Sequence, residues 1–110
     1  MAAGDLTGHE VAALGLRASL RVRVPDHVVF RQFPEQSVVL NLDQGYYHGL
    51  NRSGSLMFAM LANGETLAAV ADAVSKRYRL SHDQAQRDVG RLCASLLERG
   101  LLERAEPEQV

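Results

Sequence analysis

The sequence has one cysteine, Cys93, and no tryptophan. A lone thiol excludes an internal disulfide and any zinc site built from cysteines. The chain also lacks a surplus of charge: 12 lysines and arginines face 13 aspartates and glutamates, for a net charge of −1. That balance argues against a general polyanion binder, which would carry a basic excess. No apolar run approaches the roughly 18 residues that a membrane span needs. Met1 to Leu16 has neither the basic start nor the continuous apolar stretch of a signal peptide. These absences predict a small soluble protein of the cytoplasm, with no membrane association.

What is present is the composition of a folded domain, with 46% apolar residues in a chain of 110. A chain of this size buries roughly two thirds of the surface it exposes when unfolded, enough for one core. The first 24 residues are the least organised. Gly4, Gly8 and Gly15 interrupt the apolar residues there, and Val11, Leu14 and Leu16 reach at most a short helical turn. Leu20, Val22 and Val24 then alternate with Arg21 and Arg23, the period of a strand or an ordered arm, until Pro25-Asp26 ends it.

Three strands follow. His27 to Phe33 is rich in β-branched and aromatic residues. Ser37 to Leu42 places Val38, Leu40 and Leu42 on one face, and Tyr46 to Leu50 is the third strand. Pro34-Glu35-Gln36 and Asp43-Gln44-Gly45 are the turns, the second marked by a glycine able to take positive φ. The period then becomes helical. Ser53 is read as the N-cap of a first helix carrying Leu56, Met57, Met60 and Leu61, stopped at Asn63-Gly64. Thr66 caps a second, with Leu67, Val70, Ala71 and Val74 inward, ending near Arg79. Ser81 and Gln84 form a capping box for a third, whose stripe is Val89, Leu92, Cys93, Leu96 and Leu97. Gly100 stands where a C′ glycine belongs, and Leu101-Leu102 folds back on the core. The predicted fold class is α+β: a three-stranded antiparallel sheet followed by three helices. The predicted organisation is an N-terminal extension over 1–19, a domain over 20–103 and a polar tail over 104–110.

Chemistry is sparse. His9, His27, His48 and His82 form no metal-ligand pattern with one another, and Cys93 falls on an apolar stripe. Gly45, Gly49 and Gly54 match neither the Rossmann nor the Walker spacing. The expectation is no catalysis, no metal and no cofactor. Small sheets with three helices also suggest a winged-helix DNA regulator. However, Arg87, Arg91 and Arg99 of the third helix are interleaved with Asp83, Asp88 and Glu98, and no basic stripe forms. Peptide binding fits better. A three-stranded sheet leaves edges unpaired, and the edge of Tyr46-Tyr47-His48-Gly49-Leu50 can accept an extended peptide as an added strand. The plainer reading of Tyr46 and Tyr47 is core and cross-strand packing.

The segments VVLNLDQGYYHGLN (38–51), SGSLMFAMLANGETL (53–67) and DVGRLCASLLERGLL (88–102), in this order and spacing, resemble the PqqD-like proteins. These are the recognition elements of ribosomally made, post-translationally modified peptides. The resemblance covers about residues 20–103, and Val24-Pro25-Asp26-His27-Val28 is most similar to free-standing members beside lasso-peptide clusters. Phe58 departs from the pattern, standing where the family often has tryptophan. The resemblance implies a winged-helix-like fold that does no chemistry. It binds the leader segment of a precursor peptide as an added antiparallel strand between the third strand and the third helix. It then presents that precursor to a leader protease or another peptide-modifying enzyme. Nucleic acid is not among the implied partners, and the free edge is compatible with a monomer or a weak dimer.

Carried onto this sequence, the strand side of the groove is Tyr46, Tyr47, His48, Gly49 and Leu50, with Gly49 allowing close approach of a peptide. On the third helix, Asp88, Arg91, Leu92 and Ser95 fall on one shoulder beside the core face. Leu92 serves as an apolar anchor, and Asp88 and Arg91 meet polar or charged leader groups. The other reading of Asp88 and Arg91 is a solvated i, i+3 pair, and of Leu92 a core residue.

Overall fold

Two turns set the sheet. In the computed structural model, which describes residues 10–11 and 16–105, the Phe33 amide donates to the Gln36 carbonyl at 2.8 Å and closes the first hairpin. The second is closed by Asn41: its Oδ1 accepts from the Gln44 amide at 2.9 Å, its carbonyl accepts from Gly45 at 2.8 Å, and Gly45 takes φ +77°. The strands they join are β4 (Val28–Gln32), β5 (Ser37–Asn41) and β6 (Tyr46–Leu50), antiparallel, in the order β4-β5-β6.

The register fixes which face is inside. Val28, Asn41 and Tyr46 are neighbours across the sheet, as are Phe30, Val39 and His48, and Gln32, Ser37 and Leu50. Ser37, Val39 and Asn41 are the buried residues of β5. Val38, Leu40 and Leu42, the apolar face read from the sequence, therefore lie on the outer side and not under the helices, a correction with a clear physical cause. The polar residues on the inner face are satisfied locally: Asn41 by the turn, and Ser37 by Ser55 Oγ at 2.7 Å. Burying them costs little.

Three helices cover the inner face: α1 (Arg52–Ala62), α2 (Leu67–Tyr78) and α3 (His82–Glu98). The cap of α1 is Asn51 rather than Ser53, its side chain accepting from the Gly54 amide at 2.8 Å. Thr66 and Ser81 cap α2 and α3 as expected. The capping box at Ser81 is only half formed, because the Gln84 side chain donates forward to Asp88 Oδ1 at 2.8 Å. Phe58 is fully buried and meets Phe30 with ring centroids 4.5 Å apart at 50°, a favourable tilted geometry. Val70, Val74, Val89, Cys93 and Leu96 complete the centre, and Leu101 and Leu102 fold back into it. Leu92 and Leu97 are only half-buried.

Short pairings tie the ends down. β1 (Glu10–Val11) pairs with β2 (Leu16–Arg17) and runs beside α3. β3 (Val22–Arg23) pairs with β7 (Glu103–Arg104). Leu16 is buried, and the carbonyls of Ala18 and Leu20 accept from the Ala68 and Leu67 amides at 2.9 and 3.1 Å. The segment before residue 20 thus satisfies first-turn donors of α2 that the helix itself leaves open. Leu14, read as part of a helical turn, lies outside the described residues.

Candidate functional site

Backbone bonds define the edge. Phe33 to Gln36 and Leu42 to His27 mark two hydrogen-bonded pairs of the β4–β5 ladder. Strict alternation then turns the amides of Ser37, Val39 and Asn41 towards β6. Their partners are Leu50, His48 and Tyr46. The N–H and C=O groups of Tyr47 and Gly49 consequently point away from β5. Among the described residues β6 is an edge strand, so these are the groups an added strand would use.

Side chains alternate the other way. His48 and Leu50 point towards the helices, and across from them runs the shoulder of α3. Between the two lies a groove of about 400 Å³, with His48, Gly49 and Leu50 on the strand side and Asp88, Arg91, Leu92 and Ser95 on the helix side. Asn51, Ser53, Gly54 and Met57 line its end. None of these four was read as a groove residue from the sequence. The signal for them was the cap: a helix that starts at Arg52, directly after β6, must turn its first residues into whatever space β6 borders.

Tyr46 and Tyr47 lie outside this cavity. The Tyr46 hydroxyl donates to the Arg99 carbonyl at the C-terminal end of α3, so it joins strand and helix where the groove ends. The His27 ring, 3.2 Å from the Gly100 carbonyl, strengthens the same junction. The Tyr47 side chain stands on the outer face of the sheet. That face also carries Val29, Val38 and Leu40, with Leu42 at its end. Phe33, Leu42 and Tyr47, at 56%, 62% and 66% exposure, are the large exposed apolar side chains among the described residues; Leu42 and Tyr47 share this face, and Phe33 stands at the β4–β5 turn beside α1 and the end of α2.

The polar groups of the groove are partly committed. Asp88 Oδ1 accepts from Gln84 and lies 3.6 Å from an Arg91 nitrogen, and Gln84 in turn accepts from Arg87 at 3.1 Å. Asp88 is held in place, whereas Arg91 is mostly exposed and can swing to a ligand. Burial, and secondarily the positive charge of Arg99, hold the His48 pKa below its ordinary value. The groove therefore presents a neutral imidazole at neutral pH, one carboxylate and one guanidinium. Cys93 lies behind Leu92, fully buried, its thiol pushed up to about 11 by desolvation. It is a packing residue rather than a nucleophile. Among the described residues no helix is long and apolar enough to cross a membrane.

Comparison with known proteins places this geometry. The family described as coenzyme PQQ synthesis protein D (PqqD) matches residues 36–102, from β5 through α3. The structure of TbiB1 in complex with the TbiA(beta) leader peptide is similar at a TM-score of 0.70 and 27% identity, covering 77% of this chain and 99% of that one. The structure of lasso peptide synthetase B1 complexed with the leader peptide is similar at a TM-score of 0.69 and 28% identity, covering 74% of this chain and 96% of that one. No curated protein sequence matches the chain.

Proposed function

The chain belongs to the PqqD family, and on that premise we propose that it binds the leader segment of a ribosomally made precursor peptide as a fourth, antiparallel strand on the edge of β6. The observation that carries this reading is the pair of backbone positions, Tyr47 and Gly49, that have no partner strand among the described residues and face a groove walled by α3. Both similar structures are of proteins complexed with leader peptides, in agreement with it. The main chain of the two edge residues supplies up to four hydrogen bonds. Leader side chains alternate into the groove, where Leu50, Met57 and Leu92 give apolar contact and Asp88 and Arg91 discriminate charge.

The chain performs no bond-making step in this reading. It presents the bound precursor, in the cytoplasm where that precursor is made, to a leader protease or another peptide-modifying enzyme of lasso-peptide type. The apolar outer face, continuous with the edge through Tyr47, suits contact with such a protein partner.

The test is direct binding of a fluorescent synthetic leader, from the precursor encoded beside this chain, to the full protein. The expected result is sub-micromolar affinity, about −8 to −10 kcal/mol, competed by unlabelled leader and not by the core peptide. A strand-and-pocket interface responds mildly to salt. Competition by DNA with a steep salt dependence would replace this reading with the winged-helix regulator.

A further inference from the structure

A second cavity, of about 420 Å³, opens at the Pro34-Glu35 end of the sheet, between the β4–β5 turn, α1 and the end of α2. Its apolar wall is Phe33, Leu56 and Tyr78, and its rim carries Arg52 and Arg77. We infer that this cavity receives the stretch of precursor immediately upstream of the added strand, and that this stretch is acidic with an apolar residue. The inference rests on the reading that the leader adds antiparallel to β6.

Position argues for this occupant. The two cavities are separated only by the first turns of α1: Ser53, Gly54 and Met57 face the groove, and Arg52, Ser55 and Leu56 face the second cavity. A helix is about 10 Å across, so three or four extended residues, at about 3.3 Å each, pass from one to the other. An antiparallel partner of β6 has its N-terminal end at Leu50, beside this turn. Its downstream end leaves at Tyr46, at the far end of the strand. Only the upstream stretch arrives here.

Charge argues for its chemistry. Arg52 lies 3.3 Å from Glu35, and Lys76 lies 3.2 Å from Asp72. Arg77, placed over the Tyr78 ring at 5.8 Å, and the adjacent Arg79 have no carboxylate within ion-pair distance among the described residues. Glu35 offsets Arg52 at the cavity, and Arg77 is left to make the rim net positive. Phe33, more than half exposed beside it, offers an apolar partner. An acidic segment with one apolar side chain satisfies both.

The experiment is a nested series of synthetic leaders, shortened from the N-terminus and titrated against the full chain. With the unaltered protein, affinity falls in two steps. Removal of the upstream acidic stretch loses roughly 10-fold, and cutting into the strand abolishes binding. Arg77→Glu, and separately Phe33→Ser, remove the first step and leave the affinity of the shorter peptides unchanged. Both side chains are exposed, and circular dichroism melting verifies that the variants fold. A single step in the unaltered protein, or two steps surviving in Arg77→Glu, overturns the inference while leaving the groove reading intact. If Gly49→Pro protein binds the strand-length peptides as well as the unaltered protein does, the groove reading itself fails.

Discussion

The Tyr46 hydroxyl donates a hydrogen bond to the Arg99 carbonyl, across 53 positions of sequence. It pins the start of the edge strand to the end of α3, at a carbonyl that the helix leaves without an internal partner. The groove between them therefore ends at this junction on one side and at the first turns of α1, beside Leu50, on the other. Tyr46→Phe keeps the ring and removes the bond. The expected loss is about 1 kcal/mol in urea denaturation, with an unchanged m-value. An undiminished stability would mean that water serves the Arg99 carbonyl just as well and that the junction is not held by this contact.

Gly49 contributes an N–H to the free edge and none to the β5 ladder. Gly49→Pro therefore removes a donor that the fold does not use, at an edge position of the kind where proline is tolerated. Leader affinity is expected to fall at least about 100-fold, since a donor disappears and the ring blocks close approach. The melting temperature stays within a few degrees. Fluorescence anisotropy and differential scanning calorimetry on the same preparation separate the two effects.

Tyr47 offers the complementary case. Its side chain faces outward, and only its main chain lies on the edge. Tyr47→Ala should change leader affinity by less than about threefold, because the backbone groups remain. It should cost stability only about 0.5–1 kcal/mol, the worth of the cross-strand contact with Leu40. The same variant should bind a partner enzyme more weakly, which pull-down with and without leader would reveal. A large loss of leader affinity would instead put the phenol ring in the groove.

Local grammar carried most of the fold. Gly45 takes the positive φ that its turn demands, and Thr66, Ser81 and Gly100 cap where their types are expected to. The inner face of β5 was not legible, because the outer positions, Val38 and Leu40, are more apolar than the inner ones, Ser37, Val39 and Asn41. What decided it was the pair of hydrogen bonds that satisfy Ser37 and Asn41, one of which comes from α1. The groove shoulder of α3 could be projected from helical spacing, since Asp88, Arg91, Leu92 and Ser95 fall within one arc. The end of the groove could not, because it depends on the direction in which α1 leaves β6. Nor could the role of Tyr46, whose partner is a main-chain atom that no residue pattern announces.

Cys93 provides a probe of the core beneath the groove. Burial raises its pKa to about 11, against a smaller lowering by the Arg104 charge. At pH 8 only about one thiol in a thousand is then ionised, and iodoacetamide must also reach a fully buried sulfur. Alkylation of the native chain is expected to run at least 100-fold slower than in about 6 M guanidinium, followed by mass spectrometry. Rapid native labelling would show that α3 lifts readily from the sheet.

The last prediction concerns acid. His48 is held below its ordinary pKa of 6.5, first by burial and then by Arg99. The unfolded chain therefore takes up this proton at a higher pH than the folded one. Its contribution to stability is complete above about pH 6.5 and is lost as pH falls through the folded value. A leader lying over His48 buries it further, so bound leader favours the neutral ring as well. Both stability and leader affinity should decline on acidification from about pH 7 to 5, and His48→Gln should flatten part of both slopes. Comparing the variant with the unaltered chain cancels the titration of other groups. Parallel slopes in the two proteins would mean that His48 titrates as a solvated side chain and does not face the bound strand.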